Sequence, residues 1–312
     1  MSTAFHLNNK EIKRELQVKY NNETLPFYSE PKYLGVTLDW SLTYCQHLDS
    51  LRKKLTSCVV LLGRLAGFGW GAEAINLQIV PLAVAHSTAE YCAPVWCRSA
   101  HTRLIDPAIN DALRIVTGCL RPTPADNLPI LAGIQPAELR CSGATLSLAR
   151  HAMEPGHLLH SALTRPSSAD TRRLKSRHPF VPAALQLIIS SDNNIRSGIS
   201  SMGCGVGGQP YKTAHFHPRH RHLSPGATLP RAWVRLNCVR TGVGRFRFCL
   251  YKWGMASSTG CQCDVEQTVD HIVLQCPIHR PPHGLHGLTV LDETNRMAAQ
   301  HLPRDLVRPS SG

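Results

Sequence analysis

The sequence is short of acid. Against 34 Lys and Arg it carries 21 Asp and Glu, a formal net charge of +13 and a pI near 9.4. Between Asp192 and Asp264 there is no carboxylate at all, and no two aspartates are adjacent anywhere. No apolar run approaches the roughly 20 residues a membrane helix requires, so no membrane partner is expected. The opening "MSTAFHLNNK" lacks the basic start and long apolar stretch of a signal peptide. That start predicts a protein of nucleus or cytoplasm, not a secreted one, where a reducing environment disfavours disulfides.

What is present is hydrophobic enough to fold: 43% of residues are apolar and 18% charged, the balance of a globular chain. A length of 312 residues suits one large domain or two modest ones. The unneutralised stretch holds Arg231, Arg235, Arg240, Arg245 and Arg247, among other cations. So long a positive segment predicts a polyanionic partner, RNA or DNA, rather than a small-molecule substrate.

Periodicity predicts an α+β chain that is mostly helical. In "RELQVKYNNETLPFY", alternating Leu16, Val18 and Tyr20 lead into an Asn-Asn turn, which reads as a β-hairpin. A third strand is expected over "KYLGVTLD". Leu48, Leu51, Leu55, Val59 and Leu62 then recur at helical spacing, predicting a helix from about Ser41 to Ala66. Further helices are expected over Ala72–Tyr91, over Arg103–Thr117 with Gly118 as its stop, and after Pro136. Tyr91 and Trp96 in "YCAPVW" are assigned to packing rather than base stacking, and Glu90 and Asp106 to solvent or capping roles. Residues 1–40 thus form a small hairpin region and 41–155 a helical domain.

Periodicity is lost over 156–228, a flexible basic linker with one short helix expected near Ala183–Ile189. Its "HFHPRHRH" (His215, His217, His220, His222) is read as a solvated basic loop, since no thiol or carboxylate accompanies it. Pro230 opens a helix in a last domain, 229–285, followed by a tail, 286–312. In that helix Trp233, Leu236 and Val239 are expected to face inward, and Arg231 and Arg235 outward as a basic stripe.

Twelve cysteines are present, and three of them share "CQCDVEQTVDHIVLQC" with a histidine. The other nine (12 less 3) read as small core hydrophobes. Cys261, Cys263, His271 and Cys276 offer three thiolates and one imidazole, a common tetrahedral set for a structural Zn²⁺. His271 and Cys276, five residues apart, do not share one helical face, so Cys276 is expected where the helix ends, before Pro277. Four protein ligands leave no open position for catalysis.

In their order, "PKYLGVTLD", "AEYCAPVW", "ALRIVTGCLRPTPADNLPILAGI" and "RLNCVRTGVGRFRFCLYKWG" with the terminal Cys/His cluster resemble the C-terminal part of jockey-like non-LTR retrotransposon reverse transcriptases. The resemblance covers most of the chain. It implies that Tyr33, Leu34 and Gly35 lie on the primer grip, that residues 41–155 are thumb-like, and that the cluster is a small zinc-knuckle-like element that binds nucleic acid. The family's polymerase chemistry runs on two metal ions held by carboxylates that include an Asp-Asp pair. With no such pair here, Mg²⁺ is expected only in the full-length family enzyme and these 312 residues are expected to hold nucleic acid without extending it. A stand-alone nucleic-acid-binding adaptor and an inert transposon remnant are the other readings of the same residues.

Overall fold

The computed structural model describes residues 2, 3, 5, 15, 17–66, 79–164, 180–196 and 230–280, with the side chains of 193–196 and 230–232 outside that description. The histidine tract, the tail and most of the expected linker therefore lie outside the described residues, as does the first part of the helix expected over Ala72–Tyr91. The described chain is mostly helical with two small antiparallel hairpins. It divides into two compact units. One is Met1–Thr56, Ser87–Ala108 and Pro136–Gly207; the other is Ser57–His86, Ile109–Gln135 and Gly208–Gly312. No helix among the described residues is long and apolar enough to cross a membrane.

In the first unit, Lys19–Tyr20 pairs with Glu23–Thr24 across Asn21 and Asn22, both at positive φ, as the Asn-Asn turn predicts. The strand expected over "KYLGVTLD" is instead a second hairpin, Lys32–Tyr33 against Val36–Thr37. The chain reverses there because Leu34 (φ 46°) and Gly35 (φ 82°) both take left-handed conformations. Asp39 follows and is buried. Its carboxylate accepts the Thr43 N–H and hydroxyl, each at 2.6 Å, and the Cys45 N–H at 3.2 Å. Those bonds satisfy donors at the entry to helix α1, Cys45–Leu65. Leu48, Leu51 and Leu55 are buried along α1, following the expected period.

Helix α2, Asp106–Thr117, begins in this unit, and α3, Ala137–Ala152, and α4, Phe180–Arg196, complete it. The short helix expected near Ala183–Ile189 is a 17-residue one. Phe180, Val181, Ala184, Leu185 and Ile188 recur at helical spacing and pack on Ala149 and Ala152 of α3, whose small side chains admit the close approach. Glu90 neither caps a helix nor faces solvent freely: Arg140 of α3 grips it with two charge-assisted hydrogen bonds.

In the second unit, α2 ends where Gly118 takes φ +66°. Helix α5, Pro230–Thr241, lies against that end, with Trp233, Leu236 and Val239 buried as their spacing predicts. Leu236, Val239, Phe246, Ile272 and Val273 form a small core, with Cys249 of helix α6, Arg247–Lys252, packed beside it.

Candidate metal centre and its basic surroundings

Two backbone devices bring the four Cys/His side chains together. The first is a tight hairpin. Gly260 bridges Glu266, the Cys261 N–H donates to the Val265 carbonyl at 2.7 Å, and Asp264 closes the tip at φ +62°. Cys261 and Cys263, two residues apart at this tip, present their sulfurs to one point. The second is a wide turn over His271–Gln275, in which the Cys276 N–H reaches back five residues to the His271 carbonyl at 2.7 Å. Turns of this type are rare and concentrate at functional sites. Five residues, too many for one α-helical face, become adjacent when the turn is widened by one; Cys276 then leaves in extended conformation before Pro277.

The four ligand atoms lie within 4.8 Å of one another. Cys276 Sγ is 3.7 Å from Cys261 Sγ and 3.9 Å from Cys263 Sγ. A tetrahedral zinc with bonds of about 2.3 Å would hold its sulfurs about 3.8 Å apart. A disulfide would need about 2.05 Å, and these cysteines are free. Cys263 Sγ and His271 Nε2 are 3.0 Å apart, close enough for a thiol–imidazole hydrogen bond. Burial alone would raise the Cys261 thiol, but hydrogen bonds from the Cys263 backbone and from His271, Cys263 and Cys276 outweigh it and bring it down to about 7. The donor set and its spacing fit a metal ion that prefers sulfur and nitrogen.

Behind the cluster, Ile272 and Val273 enter the small core directly after His271. Gln267 links it sideways. Its amide donates toward Cys261 Sγ at 4.0 Å, while its side-chain oxygen accepts the Arg247 N–H at 2.8 Å. Nothing in the sequence marks this glutamine, because its role depends on a fold-back that spacing does not encode.

The cations divide. The Arg231 side chain lies outside the described residues. Arg235 is not on an outward stripe: it is 9% exposed, because residues 235–239 are all buried and the helix has no open side there. Arg240 is partly covered, with its guanidinium 5.8 Å from the Trp233 ring centroid, and burial lowers its pKa to about 10. Arg245 is half-buried, while Arg247 and Lys252 are exposed.

Tyr33, Leu34 and Gly35 belong to the other compact unit, at the tip of the second hairpin, where Tyr33 and Leu34 are exposed. Of the "YCAPVW" pair assigned to packing, Trp96 is 2% exposed and Tyr91 is 54% exposed.

Two known proteins match the chain over most of its length. A 115 kDa protein of the type-1 retrotransposable element R1DM of Drosophila melanogaster is 24% identical over 292 residues, 89% of this chain. A retrovirus-related Pol polyprotein of the type-1 retrotransposable element R1 2 of Nasonia vitripennis is 22% identical over 270 residues, 83% of this chain. The matches span 26% of the first relative and 62% of the second. No protein-family model matches the chain, and no solved structure does.

Proposed function

From a chain whose homologues are proteins of R1 non-LTR retrotransposons, we propose that these residues are the nucleic-acid-holding, C-terminal portion of a reverse transcriptase. In this reading residues 41–155 form the thumb-like part, Tyr33, Leu34 and Gly35 contribute to the primer grip, and 229–285 is a zinc-knuckle-like element that grips RNA or DNA. The observation that carries it is the convergence of Cys261, Cys263, His271 and Cys276 within 4.8 Å, at the end of the acid-free stretch 193–263 that holds Arg245, Arg247 and Lys252.

Those four side chains would hold the metal, a structural Zn²⁺, whose double charge would fix the two turns against each other. The protein supplies the remaining work. Cys261 and Cys263 keep the hairpin tip closed, while His271 and Cys276 join it to the core through Ile272 and Val273. Arg245, Arg247 and Lys252 then meet phosphates as counterions leave. Without an Asp-Asp pair the described chemistry stops at binding.

Binding of the zinc-loaded chain to single-stranded RNA or DNA, titrated across salt, tests this. Affinity should fall steeply with salt, and replacing Arg245, Arg247 and Lys252 by Ala should reduce the slope of log K against log salt by about 0.7 per lost contact. The chain should extend no primer with Mg²⁺ or Mn²⁺. A triple variant that binds as the parent does, with the same slope, overturns the reading.

A further inference from the structure

We infer that the exposed face of α6 is a stacking platform for the bases of single-stranded nucleic acid, positioned from the Cys/His cluster by Gln267. The inference rests on the nucleic-acid reading above and adds the residues that would meet the bases. At about 100° per residue, Arg247, Tyr251, Phe248 and Lys252 fall in that order across an arc of about 140°. All four are exposed, Phe248 by 40% and Tyr251 by 54%. The opposite side carries Cys249, Leu250 and Trp253, none of them exposed, with Cys249 against the small core.

A surface helix ordinarily turns its aromatics to the core and its charges to water. Here two aromatic rings stand in water between two cations. A single exposed aromatic is common and signifies little. The paired rings differ in their flanks. Among the described residues neither Arg247 nor Lys252 forms an ion pair with a carboxylate, and residues 193–263 contain no acid. A partner that fits has flat apolar faces joined by anions at short intervals. Unpaired nucleotides have that form, because each base offers a face for stacking and each linkage a phosphate for the flanking cations.

The platform is also held in place. Gln267 accepts the Arg247 N–H at 2.8 Å through its side chain and the Phe248 N–H at 3.4 Å through its backbone carbonyl, satisfying two donors that helix geometry leaves open at the start of α6. Its own N–H is fixed on the Thr259 carbonyl at 2.8 Å, and its amide nitrogen faces Cys261 Sγ. One residue therefore touches both a ligand of the cluster and the first turn of the platform, so order at the cluster is order at the rings. Gln267 is a positioning residue; Phe248 and Tyr251 are the contacts.

The test compares two strands with equal phosphate numbers, oligo-dT and an abasic strand, bound to the zinc-loaded 312-residue chain across a salt series. The parent should favour the base-bearing strand by on the order of tenfold or more. Phe248→Ala with Tyr251→Ala should lose that preference and keep the salt slope, because the phosphate contacts remain. Gln267→Ala should weaken the preference while the zinc content stays unchanged. If the parent binds both strands equally with a steep salt slope, the platform is wrong and the broader reading stands. If the preference survives in the double variant, the bases stack elsewhere and the inference falls. If neither strand binds even at low salt, the broader reading itself fails. Should the double variant not fold, the contrast between strands in the parent still decides, and Phe248→Leu with Tyr251→Leu removes the rings at smaller cost in volume.

Discussion

The indole of Trp233 donates a hydrogen bond to the Val116 carbonyl at 3.2 Å, across 117 residues of sequence. One helical turn later, Asn237 Nδ2 donates to the Thr117 carbonyl at 2.9 Å. Both carbonyls sit at the C-terminus of α2, where helix geometry leaves the last acceptors unpaired. Two side chains of α5 thus complete the end of a helix far away in sequence.

Asn237→Ala leaves the buried Thr117 carbonyl without its donor, and the expected cost is roughly 1–3 kcal/mol. Gly118→Ala should cost more, since a Cβ there would lie 2.2 Å from Val234 Cγ2 on a residue held at φ +66°. Urea denaturation of the two variants checks both values. A Gly118→Ala protein as stable as the parent would show that α5 does not rest on this turn.

Tyr91 and Gly35 form a similar lock in the other unit. The Tyr91 hydroxyl donates to the Leu34 carbonyl at 2.9 Å, and a Cβ on Gly35 would sit 3.1 Å from the Tyr91 ring at a backbone φ of +82°. Gly35→Ala is expected to destabilise by about 1–3 kcal/mol from backbone conformation and contact together. In a Tyr91→Ala background the contact share disappears, so the same substitution should cost less there. A double-mutant cycle on thermal stability measures the difference, and strict additivity would mean that the ring does not constrain the hairpin tip.

The pH response follows from His47. It is buried beside Trp96, ring centroids 6.4 Å apart, and its Nδ1 accepts the Thr37 N–H at 3.4 Å. Burial first, then the cations Lys54 and Lys32, hold its pKa below the ordinary 6.5. The unfolded chain therefore binds this proton more readily than the fold does. The stability His47 provides is complete above about 6.5 and declines as pH falls through that value toward the lower folded pKa. Melting temperature should fall between about pH 7.5 and about pH 5.5, and His47→Asn should flatten that slope. Equal slopes for parent and variant would refute the assignment.

How much of this was legible depends on the range of the signal. The leucines of α1, the Asn21–Asn22 turn and the stop at Gly118 are local, so periodicity and turn chemistry reveal them. The Cys/His cluster was legible because its residue types name their own chemistry. The second hairpin was not: "YLGVTL" reads as one strand, and a positive φ at Leu34 leaves no mark in an apolar residue. Arg235 reads as outward because burying a charge is costly; its burial reflects the surroundings of α5 and not the residue. Glu90 and Arg140 lie 50 positions apart, beyond any local pattern. Gln267 acts through four contacts that exist only after the hairpin folds back.

Metal content is the most direct check on the cluster. The purified 312-residue chain should carry close to one zinc, held by Cys261, Cys263, His271 and Cys276. Cys263→Ser removes a thiol that lies 3.0 Å from His271 Nε2 and 3.9 Å from Cys276 Sγ, and should abolish binding. Cys238→Ser is the control, since Cys238 belongs to α5 and burial pushes its thiol up to about 12, the behaviour of an inert core residue. That variant should keep its zinc. A chelator should lower the melting temperature of the parent and leave Cys263→Ser unchanged, because metal binding to a site absent from the unfolded chain adds directly to stability. The loss should spread to Ile272 and Val273, which share the small core with Leu236 and Phe246, and be visible as faster amide exchange there. Affinity for single strands should fall with the metal, since α6, which carries Arg247 and Lys252, is tied to the cluster through Gln267 and loses that anchor. A chelated chain with unchanged melting, exchange and affinity would reduce the four residues to a cluster of thiols without a role.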